Sequence, residues 1–293
     1  MNNNKLDLYT TKPRGRISNF LFTALCFLAT MTCVLMLLVL IWNIILQGKG
    51  WLSWDFIERL PSRFPHKAGI KSALFGSIWL ISLTALFSVP LGVGAAVYLE
   101  EYAPKSRWRK LIQLNISNLA GVPSIVYGIL GLGLFVRALG FDRSVLSGAL
   151  TLTLVVLPII ILASQEALRS VPDSIRRSAY ALGATRWQTV WYQVLPASLP
   201  GIMTGVILSL SRALGEAAPL IAVGAMAYVP FVPEKLSDEF TALPIQIFNW
   251  TSRPQEDFHH LAAAGILVLL ILLVSMNAIA VFVRHKYGKK IRW

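Results

Sequence analysis

Long uninterrupted apolar stretches dominate this chain and are separated by short polar segments. Runs at about 19–46, 72–99, 111–136, 144–165, 198–229 and 261–283 each reach helix-spanning length, since crossing the hydrocarbon core takes roughly 20 apolar residues. Five of the runs carry no Asp, Glu, Lys or Arg, and only the run at 198–229 holds charges, Arg212 and Glu216. The pattern therefore predicts an all-α, polytopic membrane protein with six transmembrane helices. Pro90, Pro123, Pro158 and Pro219 fall inside runs and predict kinks packed against neighbouring helices. Gly201-x-x-x-Gly205, and Gly128, Gly131 and Gly133, predict close helix contacts.

Composition agrees and removes whole classes of function. Hydrophobic residues make up 55% and charged residues 14%, too few charges to cover a water-soluble globule of 293 residues. A soluble enzyme and a disordered chain are excluded. The net charge of +13 would suggest nucleic acid in a soluble protein. Here the cations lie between apolar runs, where they set orientation, and no nucleic-acid partner is implied. The segments before the first run, after the second and fourth, and after the sixth hold about twice as many Lys and Arg as the other segments. The positive-inside rule places those segments, and both termini, in the cytoplasm. The first run, from near Ser18, is too long for the apolar core of a removable signal peptide. This divides the chain into a cytoplasmic tail (1–18), a first transmembrane helix with its outer loop (19–69), a core of five transmembrane helices (70–284) and a basic tail (285–293). Cys26 and Cys33 lie about two helical turns apart on one face, too far to bridge within a helix.

The most informative soluble stretch is VPDSIRRSAYALGATRWQTVWYQVLP (171–196). Pro172 and Asp173 suit a first helical turn, and Gly183 suits the left-handed residue just past a helix end. Thr185-x-x-Gln188 is a capping box that starts a second helix. Trp187, Val190, Trp191 and Val194 then recur at helical spacing as one apolar face. The loop reads as helix, sharp bend, helix along the membrane surface. It serves either as an interfacial anchor or as a docking element for a partner. In the fifth run, Arg212 and Glu216 are four apart and share a helix face. An intramembrane charge is costly and marks either a self-neutralising pair or a functional cation. In the second case the planar guanidinium would hold an oxyanion and Glu216 would orient it.

Ala179, Gly183 and Ala184, followed by Leu195 and Pro196, resemble the EAA-type coupling loop of ATP-binding-cassette importer permeases. Where that family prefers Glu-Ala-Ala the chain has Arg177-Ser178-Ala179, and Gln193 replaces a later Ile. The stretch SRALGEAAPL (211–220) resembles the equivalent helix of PstA-type phosphate permeases, as do QEALRSVP (165–172) and FNWTSRPQEDFHHLAAAGILVLL (248–270). Together these cover most of 70–284. The resemblance implies a type I importer permease bundle (MetI-like) in a bacterial inner membrane, forming half of a phosphate pathway. It also implies a PstC-type permease as the other half, a PstB-type ATPase dimer carrying ATP and Mg, and a PstS-type phosphate-binding protein outside. Arg212 and Glu216 would then line the phosphate path, with residues 171–196 docking the ATPase.

The chain has no G-x-x-x-x-G-K-[ST] phosphate loop, so no ATP site of that kind is expected in it. His259 and His260 are adjacent and point apart on a helix, and His66 and His285 are isolated, so no metal site is expected. Without a clustered nucleophile, base or metal set, a membrane enzyme is the weakest reading. Permeation of another oxyanion (sulfate, molybdate, phosphonate) and an ATP-independent secondary transporter or channel are the alternatives.

Overall fold

A computed structural model describes residues 13–226 and 228–288, and their side chains apart from 13–17, 283 and 287–288. Of the cations expected in the tails, Lys5, Lys12, Lys289, Lys290 and Arg292 lie outside the described residues. The chain forms two compact units, Met1–Gln47 and Gly48–Trp293.

The first unit is helix α1 (Pro13–Gly48), which ends on the first residue of the second unit. Its threonine hydroxyls are satisfied within the helix: Thr23, Thr30 and Thr32 each donate to the carbonyl four residues back at 2.8 Å. That lets polar side chains sit in hydrocarbon without an outside partner. Cys26 and Cys33 are free thiols on this helix.

The described residues of the second unit are helical, with no named strand. In order they form α2 (Trp54–Glu58), α3 (Lys71–Val97, continued by a wide π turn at Tyr98–Tyr102), α4 (Arg107–Ala120), α5 (Ser124–Gly131, continued by a π turn at Leu132–Ala138), α6 (Val145–Arg169), α7 (Asp173–Ala181), α8 (Arg186–Thr189, continued by a π turn at Val190–Val194), α9 (Leu195–Gly215), α10 (Ala218–Val223), α11 (Leu243–Thr251) and α12 (Glu256–Gly288). Among the described residues, five helical stretches are long and apolar enough to cross a membrane: Ser18–Gly48, Lys71–Tyr102, Val145–Arg169, Arg186–Gly215 and Glu256–Lys286. The bent pair α4 and α5 makes a sixth if it counts as one span.

Two of the expected spans differ from that picture. The run at 111–136 is broken: α4 and α5 meet at 101°. Pro123 supplies no N–H and pushes Val122 out of the helical region, so a position read as a kink is a full turn. The run at 198–229 is not one helix either. Its helix begins at Arg186, ends at Gly215, and is followed by an extended Glu216 (φ −78°, ψ 119°) before α10. The second helix of the 171–196 loop is thus continuous with this span instead of lying apart on the surface. The wide turn that joins them closes with Leu195 N–H donating to Val190 O, just before Pro196, which has no N–H to continue the regular ladder.

α6 is the central helix: 67% of its most apolar stretch is buried, against 33% for α3 and 6% for α12. Leu80, Leu152, Leu220 and Phe240 join α3, α6 and α10 in one apolar cluster, and Leu99, Leu168, Val171 and Val194 join the ends of α3 and α6 to the turn before α9 in another. A Cβ added at Gly201 would lie 2.8 Å from Ala167 Cβ, and one at Gly205 would collide with Ala163 Cβ, so the glycine pair seats α9 on α6 as expected. Gly128 and Gly131 meet α10 and Thr151 in the same way, whereas Gly133 faces open space. Gly205→Leu is therefore expected to destabilise the second unit by about 1–3 kcal/mol through overpacking. Thermal unfolding in detergent checks this, with Gly133→Leu as a control that should unfold at the unsubstituted temperature.

Candidate functional site

The loop between α6 and α9 has a defined local geometry. α7 ends in a two-bond cap: Gly183 N–H donates to Tyr180 O at 2.9 Å and Ala184 N–H to Ala179 O at 3.1 Å. This closure needs a left-handed residue at 183, and Gly183 has φ +80°. The expected capping box follows. Thr185 Oγ1 accepts from Gln188 N–H at 3.3 Å, and Gln188 Oε1 accepts from Thr185 N–H at 2.8 Å. Ala179, Gly183 and Ala184 thus build a rigid corner, and Leu182 at its tip is 89% exposed. Gln193 lines a shallow concavity beside that corner with Ser174, Ser178 and Leu182, while Arg177 is exposed on α7. Leu195 and Pro196 form the first turn of α9.

The apolar face expected on α8 divides. Val190 and Val194 are buried, while Trp187 and Trp191 are exposed and stack at 5.5 Å between ring centroids. Both tryptophans line an apolar cleft of about 780 Å³ walled by α3, α9 and the end of α12, with Val93, Met203 and Asn277 among its lining.

Arg212 lies in the last turn of α9 and Glu216 just past its end, and they pair at 3.2 Å through Arg212 Nε and Glu216 Oε1. The arginine side chain is 52% exposed and the glutamate 17%. Among the described residues neither Nη1 nor Nη2 of Arg212 has a partner, so the outer edge of the fork is open to a further oxyanion. Arg212 lies outside the lining of the apolar cleft. The preceding residue is Ser211, whose Oγ donates to Ile207 O and meets Asn277 Oδ1 at 2.5 Å, which ties α9 to α12.

Sequence reading missed a charged node where the ends of α3 and α6 meet α4 and α7. Glu100 accepts from Arg109 Nη2 at 3.1 Å and from Arg169 Nη2 at 2.6 Å, and Glu101 accepts from Arg176 Nη2 at 2.6 Å. The hydrogen bond from Arg176 to Glu101 keeps that guanidinium above its ordinary value, against burial, which acts the other way. The signal was present: two adjacent acids close an apolar run on the basic side of the chain, where the arginines had been counted only for orientation. A second omission is the reciprocal amide pair of Gln113 on α4 and fully buried Gln165 on α6, at 2.8 and 3.0 Å.

Residues 88–289, which hold all of these features, match the family described as binding-protein-dependent transport system inner membrane component. The chain belongs to this family. Among the relatives of this permease, the phosphate transport system permease protein PstA 1 of Mycobacterium tuberculosis is 33% identical over 278 residues, covering 92% of this chain and 90% of that one. The phosphate transport system permease protein PstA of Haemophilus influenzae is 28% identical and covers 97% and 99%. The resemblance to PstA-type permeases read from the sequence is borne out. A solved bacterial transporter for import of the acidic polysaccharide alginate has a chain of like fold (TM-score 0.66, 15% identity) covering 93% of this permease and 98% of that chain. The helical permease fold is likewise as expected, and the chain is a multi-pass membrane protein.

Proposed function

We propose that this permease is one of two membrane subunits of an ATP-driven importer of inorganic phosphate. The observation that carries the reading is the near end-to-end likeness to a phosphate transport permease, in which neither chain has a large part left over. The site chemistry agrees with an anionic cargo. Arg212 presents an unfilled guanidinium edge, and Glu216, bound at Nε, fixes its direction without occupying the donors that face outward. A PstC-type permease completes the pathway and a PstS-type protein delivers phosphate from outside. A PstB-type ATPase dimer, holding ATP and Mg, docks at the corner formed by Ala179, Gly183 and Ala184. In this reading that corner and both termini face the cytoplasm, the side to which the positive-inside rule assigns the larger share of cations.

The test is phosphate uptake into liposomes holding the chain with these partners, ATP inside and the binding protein outside. Uptake that needs every component supports the reading. Uptake by this chain alone replaces it with a secondary carrier, and ATP-driven movement of sulfate or molybdate in place of phosphate changes the cargo.

A further inference from the structure

Glu100 and Glu101 are adjacent in sequence, yet both carboxylates are nearly buried, with side chains 10% and 7% exposed. Buried carboxylates persist only when paired and hydrogen-bonded. The wide turn at Tyr98–Tyr102 directs them to different neighbours. Glu100 binds Arg109 and Arg169, at the start of α4 and the end of α6. Among the described residues the partner of Glu101 is Arg176, on α7, with Nε at 3.2 Å and Nη2 at 2.6 Å from the same oxygen. Arg176 turns further donors to the end of α6 and the residues just past it: Nη2 reaches Leu168 O at 3.0 Å and Nη1 reaches Val171 O at 2.8 Å, with a longer contact from Nη1 to Asp173 at 3.4 Å. Leu168 O also accepts from Val171 N–H at 3.3 Å, so the guanidinium adds to the cap that closes α6. One side chain, 16% exposed, therefore fastens the first turns of α7 to both α6 and α3, over the apolar floor of Leu99, Leu168, Val171 and Val194.

The two helices depend on this fastening differently. α7 is joined to α6 by three residues of chain, so any displacement of the loop pulls α6 regardless of side chains. α3 ends about 70 residues earlier in the sequence, and its polar tie to α7 is the Glu101–Arg176 pair. α3 also forms a wall of the apolar cleft opposite α9.

We infer that Glu101 and Arg176 are a positioning pair that makes α3 move with the 171–196 loop, so that ATPase motion reaches the α3 wall of the cleft as well as the α9 wall. This rests on the proposed docking role of the loop. A lysine at 176 could not serve, because one ammonium cannot meet a carboxylate and two separate carbonyls in the guanidinium's geometry.

The assembled complex is tested in liposomes with Glu101→Gln, Arg176→Gln and the double variant, which leaves no unpaired buried charge and so guards against misfolding. Each single substitution is expected to lower phosphate moved per ATP about tenfold while the complex still assembles and hydrolyses ATP, and the double should be no worse than either single. Glu166→Gln, outside the 171–196 loop, removes an exposed ion pair to Arg169 and leaves the Glu101–Arg176 pair intact, so it should leave the ratio unchanged. Losses that multiply in the double variant, or a double variant with the unsubstituted ratio, would overturn the pair's role.

Hydrogen exchange gives a readout that does not depend on cargo. Addition of a non-hydrolysable ATP analogue should change exchange of amides at 173–181 and at 98–103 together in the unsubstituted complex, but only at 173–181 in the double variant. A loop that responds while 98–103 does not, in the unsubstituted complex, overturns the inference and leaves the docking role standing. A loop that does not respond at all removes the docking role, and the inference with it.

Discussion

Replacing Arg212 with glutamine is expected to lower ATP-dependent phosphate uptake by about 10- to 100-fold while the complex still assembles. A hydrogen bond to a charged group contributes roughly 1.5–3 kcal/mol, and each 1.4 kcal/mol is about tenfold. The arginine is half exposed at the end of α9 and, among the described residues, its ion pair is with Glu216; its loss leaves no cavity, and the glutamine amide keeps an N–H donor for the largely buried Glu216 carboxylate. The folding cost should therefore be small and the transport cost large. Co-purification of the partner subunits and uptake by the same preparation separate the two. Normal uptake by Arg212→Gln would reduce the residue to a counter-ion for Glu216. Glu216→Gln is the milder change, since it keeps an acceptor for Nε and leaves the guanidinium charge in place.

Gly183→Val should produce the second large effect, of a different kind. A Cβ added at this position meets nothing within 4 Å, so crowding is no obstacle. The obstacle is the left-handed backbone at φ +80°, which costs a Cβ-bearing residue roughly 1–2 kcal/mol and more for a branched one. The corner would relax by opening the bonds from Gly183 and Ala184 to the end of α7, displacing Leu182. ATP hydrolysis should then continue without matching phosphate transport. Gly183→Asn, which tolerates the left-handed region, should retain most of the coupling. Measuring phosphate moved per ATP for the two variants side by side distinguishes backbone conformation from mere removal of glycine. Equal ratios in Gly183→Val and the unsubstituted complex would dismiss the corner as the docking element.

Apolar run length and cation placement were enough to read the membrane class, the helix content and most spans, because burial in hydrocarbon acts on whole segments. The corner was equally legible, since Gly183 and the Thr185–Gln188 pair are local devices whose geometry follows from a few neighbouring residues. The misjudged features depend on how helices end. Hydropathy carries through Gly121-Val122-Pro123 without a dip, although the backbone turns through 101° there. It also carries from Ser198 to Val229, although the helix stops at Gly215. The Glu100–Glu101 node lay further out of reach. Each of its arginines is unremarkable in sequence, and the pairings bridge up to 75 residues; only the packing of α3 against α6 reveals them. The pairing of Arg212 with Glu216 was anticipated from a four-residue spacing, and it forms even though the helix that motivated the spacing ends before Glu216.

Both cysteines of the chain lie on α1, so the whole of the second unit is free of thiols. Two substitutions, Cys26→Ala and Cys33→Ala, would yield a background in which any single cysteine introduced between Gly48 and Gly288 is the sole reactive group. A fluorophore or spin label at Leu182, the most exposed point of the corner, would then test in real time whether a partner subunit docks there, with no competing signal from elsewhere in the chain.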